Sequence, residues 1–307
     1  MTADELQPFL TGLAQRVMRE DDWGTQADYI PDLAGIDPVQ FAISVVLPDG
    51  QVLSAGASEQ PFSIQSISKI FTLSIALGRI GDSIWARVGR EPSGDAFNSI
   101  VLLENEQGHP RNPFINAGAI VTTDALLAGR APREALSEIL QFIRMAAGDE
   151  SIHINRHVAR SEKATGHRNM ALAHYLRSFD NLTHEPDLTL GTYFHQCSIE
   201  MSTRQLALAG RYLAALPCSP RMISDAKVRR LNALMLTCGQ YDGSGEFAFR
   251  VGLPSKSGVG GGLLIVAPGK ASIAIWSPGL NEHGNSQAGT RAAAHLSDFT
   301  GWSVFRP

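Results

Sequence analysis

The sequence predicts an α+β fold: an antiparallel sheet flanked by helices, with a mainly helical lobe beside it. Three observations lead there. β-type runs joined by tight-turn residues occur near both ends of the chain, at 40–56 and 261–278. Helical apolar spacing dominates the stretch between them. The chain is also long, with 307 residues of which 44% are hydrophobic, enough to bury about 75% of the surface that it exposes when unfolded. Strands at both ends with helices between them imply that the terminal segments meet in one sheet. Residues 1–65 and 236–307 are then the sheet lobe and 66–235 the mainly helical lobe of a single unit, with a cleft between them.

Taken in order, residues 5–19 place Leu6, Leu10, Leu13 and Val17 on one face of a first helix. QFAISVVL and QVLSAG, separated by Pro48, Asp49 and Gly50, read as a β-hairpin. Helical patterns follow in SISKIFTLSIALGRI, NAGAIVTTDALLAG, REALSEILQFIRMAA, NMALAHYLRS and TRQLALAGRYLAAL. GGLLIVAPGKASIAIWSP then gives two β-rich runs joined by Pro268, Gly269 and Lys270, and a last helix runs over about 286–300.

Net charge is −4, and the basic residues are scattered along the chain. That pattern carries no footprint for nucleic acid or an anionic membrane surface, and a small-molecule partner fits better. The first twenty residues hold acids and an amphipathic pattern, and no window reaches the ~18 apolar residues of a membrane span. A cytoplasmic location is expected.

Cys197, Cys218 and Cys238 are an odd number without metal-ligand spacing, and are expected to be reduced core thiols. His153 and His157, four apart, lack a third ligand and are expected to be surface residues. Neither metal nor cofactor is expected. Only five of the 26 basic residues are lysines. A lysine can lose its proton when buried and an arginine cannot, so the lysines are candidates for proton transfer.

Ser66 and Lys69 lie three apart where an extended segment enters an apolar helix, which puts both on one face. Serine needs a base to become nucleophilic, and a lysine among Ile67, Ile70 and Phe71 is inclined toward its neutral form. Helix-start N–H groups would favour negative charge near Ser66. The spacing alone is weak, because Ser224 and Lys227 repeat it; there a polar setting favours a helix N-cap serine. A second element, Lys256, Ser257 and Gly258, precedes a β-run and a glycine cluster. An SxxK serine beside a K-[ST]-G element is the pairing of penicillin-recognising enzymes. The lysine supplies positive charge, and the glycines allow a backbone N–H close to a substrate.

These motifs sit within ordered blocks: ADYIPDLA (27–34), SIQSISK (63–69), GREPSGDAFN (89–98), HPRNPFINAGAI (109–120), SEKATGHRN (161–169), YFHQCS (193–198), LTCGQYDGSGEFA (236–248) and SKSGVGGG (255–262). In them the sequence resembles the serine-dependent glutaminases, whose fold is β-lactamase-like. The resemblance implies hydrolysis of L-glutamine to L-glutamate and ammonia, with Ser66 as the acylated nucleophile and Lys69 as its base. It also implies a substrate-contacting set of Asn116, Glu162, Asn169, Tyr193, Tyr241 and the Val259 backbone, with Tyr29 bordering the site. A homodimer or homotetramer is the assembly it suggests.

Glu162 suits the α-ammonium of glutamine, and the asparagines and tyrosines suit its carboxylate and amide. Should the proton not go to Lys69, Tyr193 is the other acceptor. The sequence departs from the pattern at Gly260, where serine is expected to be common. Two rivals are a β-lactamase or D,D-peptidase, disfavoured by the lack of an S-D-N element, and an amino-acid sensor, disfavoured by the intact motifs.

Overall fold

In the computed structural model, which describes residues 1–306, the chain opens with α1 (Ala3–Val17), α2 (Pro31–Ala34), β1 (Ala42–Val46), β2 (Val52–Gly56) and β3 (Phe62–Ser63). Its middle holds α3 (Ser68–Ile80), α4 (Ile100–Asn105), α5 (Asn116–Leu127), α6 (Pro132–Ala147), β4 (His153–Ile154), α7 (Arg156–Thr165), α8 (His167–Ser178), α9 (Pro186–Cys197), β5 (Ile199–Met201) and α10 (Thr203–Ala209). It closes with α11 (Asp225–Cys238), α12 (Ser244–Arg250), β6 (Ser255–Gly258), β7 (Gly262–Ala267), β8 (Ala271–Trp276) and α13 (Gln287–Thr300).

Five antiparallel strands form the main sheet in the order β2-β1-β8-β7-β6, so both ends of the chain meet, as the sequence predicts. Side chains alternate across a strand, and both faces here are covered. Ile43, Val45, Ile273 and Ile275 point to α1 and α13, where Leu6, Leu10, Leu13, Val17, Ala292 and Leu296 meet them. Val46, Leu264, Ala274 and Trp276 point the other way, into a core shared with α3, α6, α10 and α11. Burial on both faces explains why these strands read as continuous apolar runs.

A second sheet, β3-β5-β4, joins three segments far apart in sequence. No periodic signal announces strands of two or three residues. The K-S-G element, expected ahead of a strand, lies inside one: Lys256, Ser257 and Gly258 belong to β6. His153 sits in β4 and His157 in the first turn of α7, so the two do not share a helix face; both are exposed. Ser224 occupies the N-cap of α11 without a side-chain capping bond. Cys197 and Cys238 are buried, Cys218 is half-buried, and all three are unpaired.

Candidate active site

Ser66 lies in a 3-10 turn, Gln65–Ile67, just ahead of α3, rather than in the first turn of the helix. Gln65 precedes it in the left-handed region, at φ 50°. Such a conformation costs a non-glycine residue roughly 1–3 kcal/mol and persists where its surroundings fix it. Here they do. Ile64 N–H donates to the Ile199 carbonyl at 2.9 Å. Gln65 Nε2 donates to Ser63 Oγ at 2.9 Å and to Glu162 Oε1 at 2.8 Å.

The other side of the turn faces the loop between β6 and β7. A Cβ at Gly258 would overlap the Ile64 carbonyl oxygen, and one at Gly260 the Ser63 carbonyl oxygen. Glycine at both positions lets two backbones approach where a side chain would hold them apart, which accounts for glycine at 260. Val259, between them, lines the same pocket as Ser66. Among the described residues neither the Ser66 nor the Val259 N–H finds an acceptor. Buried backbone donors are rarely left unpaired, so two beside one serine mark a place where something else supplies the acceptor.

Lys69 is 1% exposed. Its Nζ donates to the Phe114 carbonyl at 3.1 Å and to Asn116 Oδ1 at 2.8 Å. Burial lowers its pKa to about 8, against the partial opposition of Cys197 and Glu162. Ser66 and Lys69 are not hydrogen-bonded to each other. Burial pushes the phenol of Tyr241 up to about 12, against a lowering influence of the Ser66 and Ser257 side chains, and its hydroxyl donates to the Ser257 carbonyl at 3.4 Å. Lys256 is fully buried under that ring, with Nζ 4.2 Å from its centroid, donating to the Gly239 and Ser257 carbonyls at 3.1 and 2.7 Å. Burial first, and the Lys69 charge second, hold its pKa well below the ordinary lysine value.

Asn116 begins α5 but does not cap it, because Ile115 holds the N-cap position. Its Oδ1 also accepts from the Tyr193 hydroxyl at 3.3 Å, and its Nδ2 donates to Asn169 Oδ1 at 2.9 Å. Glu162 is buried, and desolvation raises its pKa to about 7 despite hydrogen bonds from Gln65 and Ser198 and the Lys69 charge. Tyr193 is buried and Tyr29 is 52% exposed at the rim.

One cavity of about 580 Å³, counted with its open mouth, is lined by Tyr29, Ser66, Asn116, Glu162, Asn169, Tyr193 and Val259. Tyr241, expected to contact substrate, does not line this cavity; Lys69 meets the wall through Asn116, and Lys256 packs under the Tyr241 ring. Gln65, Asn98, Arg168 and Cys197 also line it and escape the sequence reading. Gln65 sits inside the SIQSISK block, but its role depends on a backbone conformation that composition does not announce.

A two-faced antiparallel sheet, a helical wall and a polar pocket holding a serine near two buried lysines define an α+β enzyme of the β-lactamase-like fold. The family model described as glutaminase matches residues 24–305. A glutaminase of Mesorhizobium japonicum is 57% identical, with 99% of this chain and 98% of its own covered. The thermolabile glutaminase of Rhizobium etli is 58% identical over 98% and 99%. Among solved structures, a probable glutaminase from Bacillus subtilis complexed with 6-diazo-5-oxo-L-norleucine superposes with a TM-score of 0.89 at 32% identity, covering 99% of each chain. This chain belongs to the glutaminase family.

Proposed function

We propose that the chain hydrolyses L-glutamine to L-glutamate and ammonia through an acyl-enzyme on Ser66. The observation that carries this reading is the pair of unpaired N–H groups, Ser66 and Val259, beside a hydroxyl in a polar pocket. Two such donors would serve as the oxyanion hole for the tetrahedral intermediate. Ser66 Oγ attacks the side-chain amide carbon, the carbonyl oxygen takes the negative charge, and the hydroxyl proton passes to Lys69. The C–N bond then breaks as ammonia leaves with a proton. Water attacks the ester and gives up a proton to Lys69, which passes it to Ser66 Oγ as glutamate departs.

Lys69 suits the role of base. A neutral amine has two N–H groups and one lone pair; Phe114 and Asn116 accept the two donors, which leaves the lone pair for the proton. Its separation from Ser66 is compatible with this role, since catalytic hydrogen bonds often tighten only with substrate. Tyr241 stands beside Ser66 as a relay, and its elevated pKa favours a neutral phenol over a phenolate base. Tyr193 orients Asn116 and offers a hydroxyl to the substrate. Lys256 supports the Tyr241 ring.

Glu162 receives the α-ammonium, while Asn116, Asn169 and Tyr29 contact the polar end of the amino acid. We assign residues 1–65 and 236–307 to a sheet lobe and 66–235 to a helical lobe of one catalytic unit. The working form is a cytoplasmic homodimer or homotetramer; none of the helices is long and apolar enough to cross a membrane among the described residues.

Mass spectrometry after incubation with 6-diazo-5-oxo-L-norleucine tests the reading, alongside ammonia release from glutamine. One adduct at Ser66, lost in Ser66→Ala together with turnover, is expected. A labelled residue elsewhere, or wild-type ammonia release by Ser66→Ala, overturns it. A chromogenic β-lactam should not be turned over.

A further inference from the structure

Behind the helices that carry Glu162 and Tyr193, a further concavity of about 1320 Å³, counted with its open mouth, opens between α6, β4, α7 and α9. Arg133, Arg156, Arg160, His153 and His195 line it, over a floor of Leu136, Leu140 and Ile154. No carboxylate lines it, although the chain has 30 acidic residues and a net charge of −4. The nearest acid to His153, Glu200, stands 3.4 Å from its Nε2 and already accepts from Asn155 Nδ2 at 2.8 Å.

Spacing along the helices produces this convergence. Arg156 and Arg160 are one turn apart on α7, and Arg133, Leu136 and Leu140 share a face of α6. Among the described residues the three arginines, all exposed, have neither an ion pair nor a side-chain hydrogen bond. Most other arginines of the chain do, as Arg79, Arg87 and Arg144 illustrate. His195 Nδ1 donates to the Gly191 carbonyl at 2.7 Å, which leaves Nε2 for a partner in the groove. Guanidinium groups without partners, converging on a concave apolar floor, match an anion that carries an apolar body.

We infer that this groove is a binding site, separate from the glutaminase pocket, for a small organic anion with a phosphate or carboxylate head and an apolar body. The arginines would hold the head by charge-assisted hydrogen bonds, and the leucines and Ile154 would cover the body. Basic residues that look scattered in the sequence form the site only in the fold.

Titration calorimetry of the full-length enzyme with 1-naphthyl phosphate, inorganic phosphate and 1-naphthol tests the inference. Wild type should bind 1-naphthyl phosphate at least tenfold more tightly than either of the others. Arg156→Gln/Arg160→Gln should weaken that binding at least tenfold while ammonia release from glutamine stays at the wild-type level, because neither arginine touches the pocket. Equal binding of all three probes, or unchanged affinity in the double variant, overturns the site. Sedimentation with phosphatidylglycerol vesicles without binding of the soluble probe also overturns it and assigns the arginines to a lipid surface.

Discussion

Gln65 Nε2 reaches Glu162 Oε1 across 2.8 Å, joining residues 97 positions apart and tying the turn that presents Ser66 to the carboxyl group proposed to receive the substrate. The bond supports ionised Glu162, yet burial dominates and leaves the pKa near 7. Near neutral pH the carboxyl group is therefore partly protonated, and an ammonium beside it would ionise it.

A stability consequence follows from that carboxyl. Because its folded pKa is raised from 4.5 to about 7, its favourable contribution is complete below 4.5 and is lost as pH rises toward 7. A shift of this size is worth roughly 3 kcal/mol. Glu162→Gln keeps the acceptor for Gln65 and removes the buried charge. At pH 8 it should melt several degrees above wild type in scanning calorimetry, with the gap closing by pH 4.5, while glutamine turnover is lost.

The proposed role of Lys69 predicts an alkaline dependence. As the proposed base, its amine, depressed to about 8, would act only when neutral, so acylation should rise with pH through about 8 and then level off. The rate of Ser66 labelling by 6-diazo-5-oxo-L-norleucine between pH 6 and 10 measures this. Lys69→Arg keeps the charge but not the base, and should lose about 10²–10⁴-fold in kcat. A profile flat across pH 8 in the wild type would remove Lys69 from the proton path.

Much of the scaffold is visible in the sequence, and the reasons are local. The α1 face of Leu6, Leu10, Leu13 and Val17 and the hairpin around Pro48, Asp49 and Gly50 need only near neighbours to form. β3, β4 and β5 depend on partners more than forty residues away, and each is too short to show a period. Ser66 and Lys69 were visible as a spacing, but their lack of contact was not, because Phe114 and Asn116, which take the lysine donors, come from α5 and the segment before it. Asn116, Glu162 and Asn169 emerged from resemblance alone, since each residue type also suits a cap or a solvated surface.

Gly258→Ala probes the oxyanion hole. The new methyl group would meet the Ile64 carbonyl and push the Val259 N–H away from Ser66. Losing one such donor costs about 10²–10³ in turnover. Steady-state kinetics should show that loss in kcat with little change in KM, and the melting transition should stay cooperative.

Asp124 provides a stability test outside the pocket. Its buried carboxylate accepts from Arg87 Nη2 at 2.6 Å, the Thr183 and His184 amides at 3.0 and 2.9 Å, and His184 Nδ1 at 2.8 Å. Burial alone would raise its pKa, but these donors outweigh it and the net shift is downward. The stabilisation is present above the ordinary carboxylate range and fades as pH falls through the lowered value. Asp124→Asn leaves Arg87 without its counter-charge and should reduce unfolding free energy by about 3–5 kcal/mol, read by urea denaturation at pH 7.

The small sheet has a bearing on biosynthesis. β3 leads into Ser66, but its partner β5 emerges from the ribosome more than a hundred residues later, and the Gly258 edge of the turn later still. With Ser66 as the proposed nucleophile, a nascent chain would lack the contacts that shape its turn until the later strands arrive, and amide cleavage would begin only with completion of the fold.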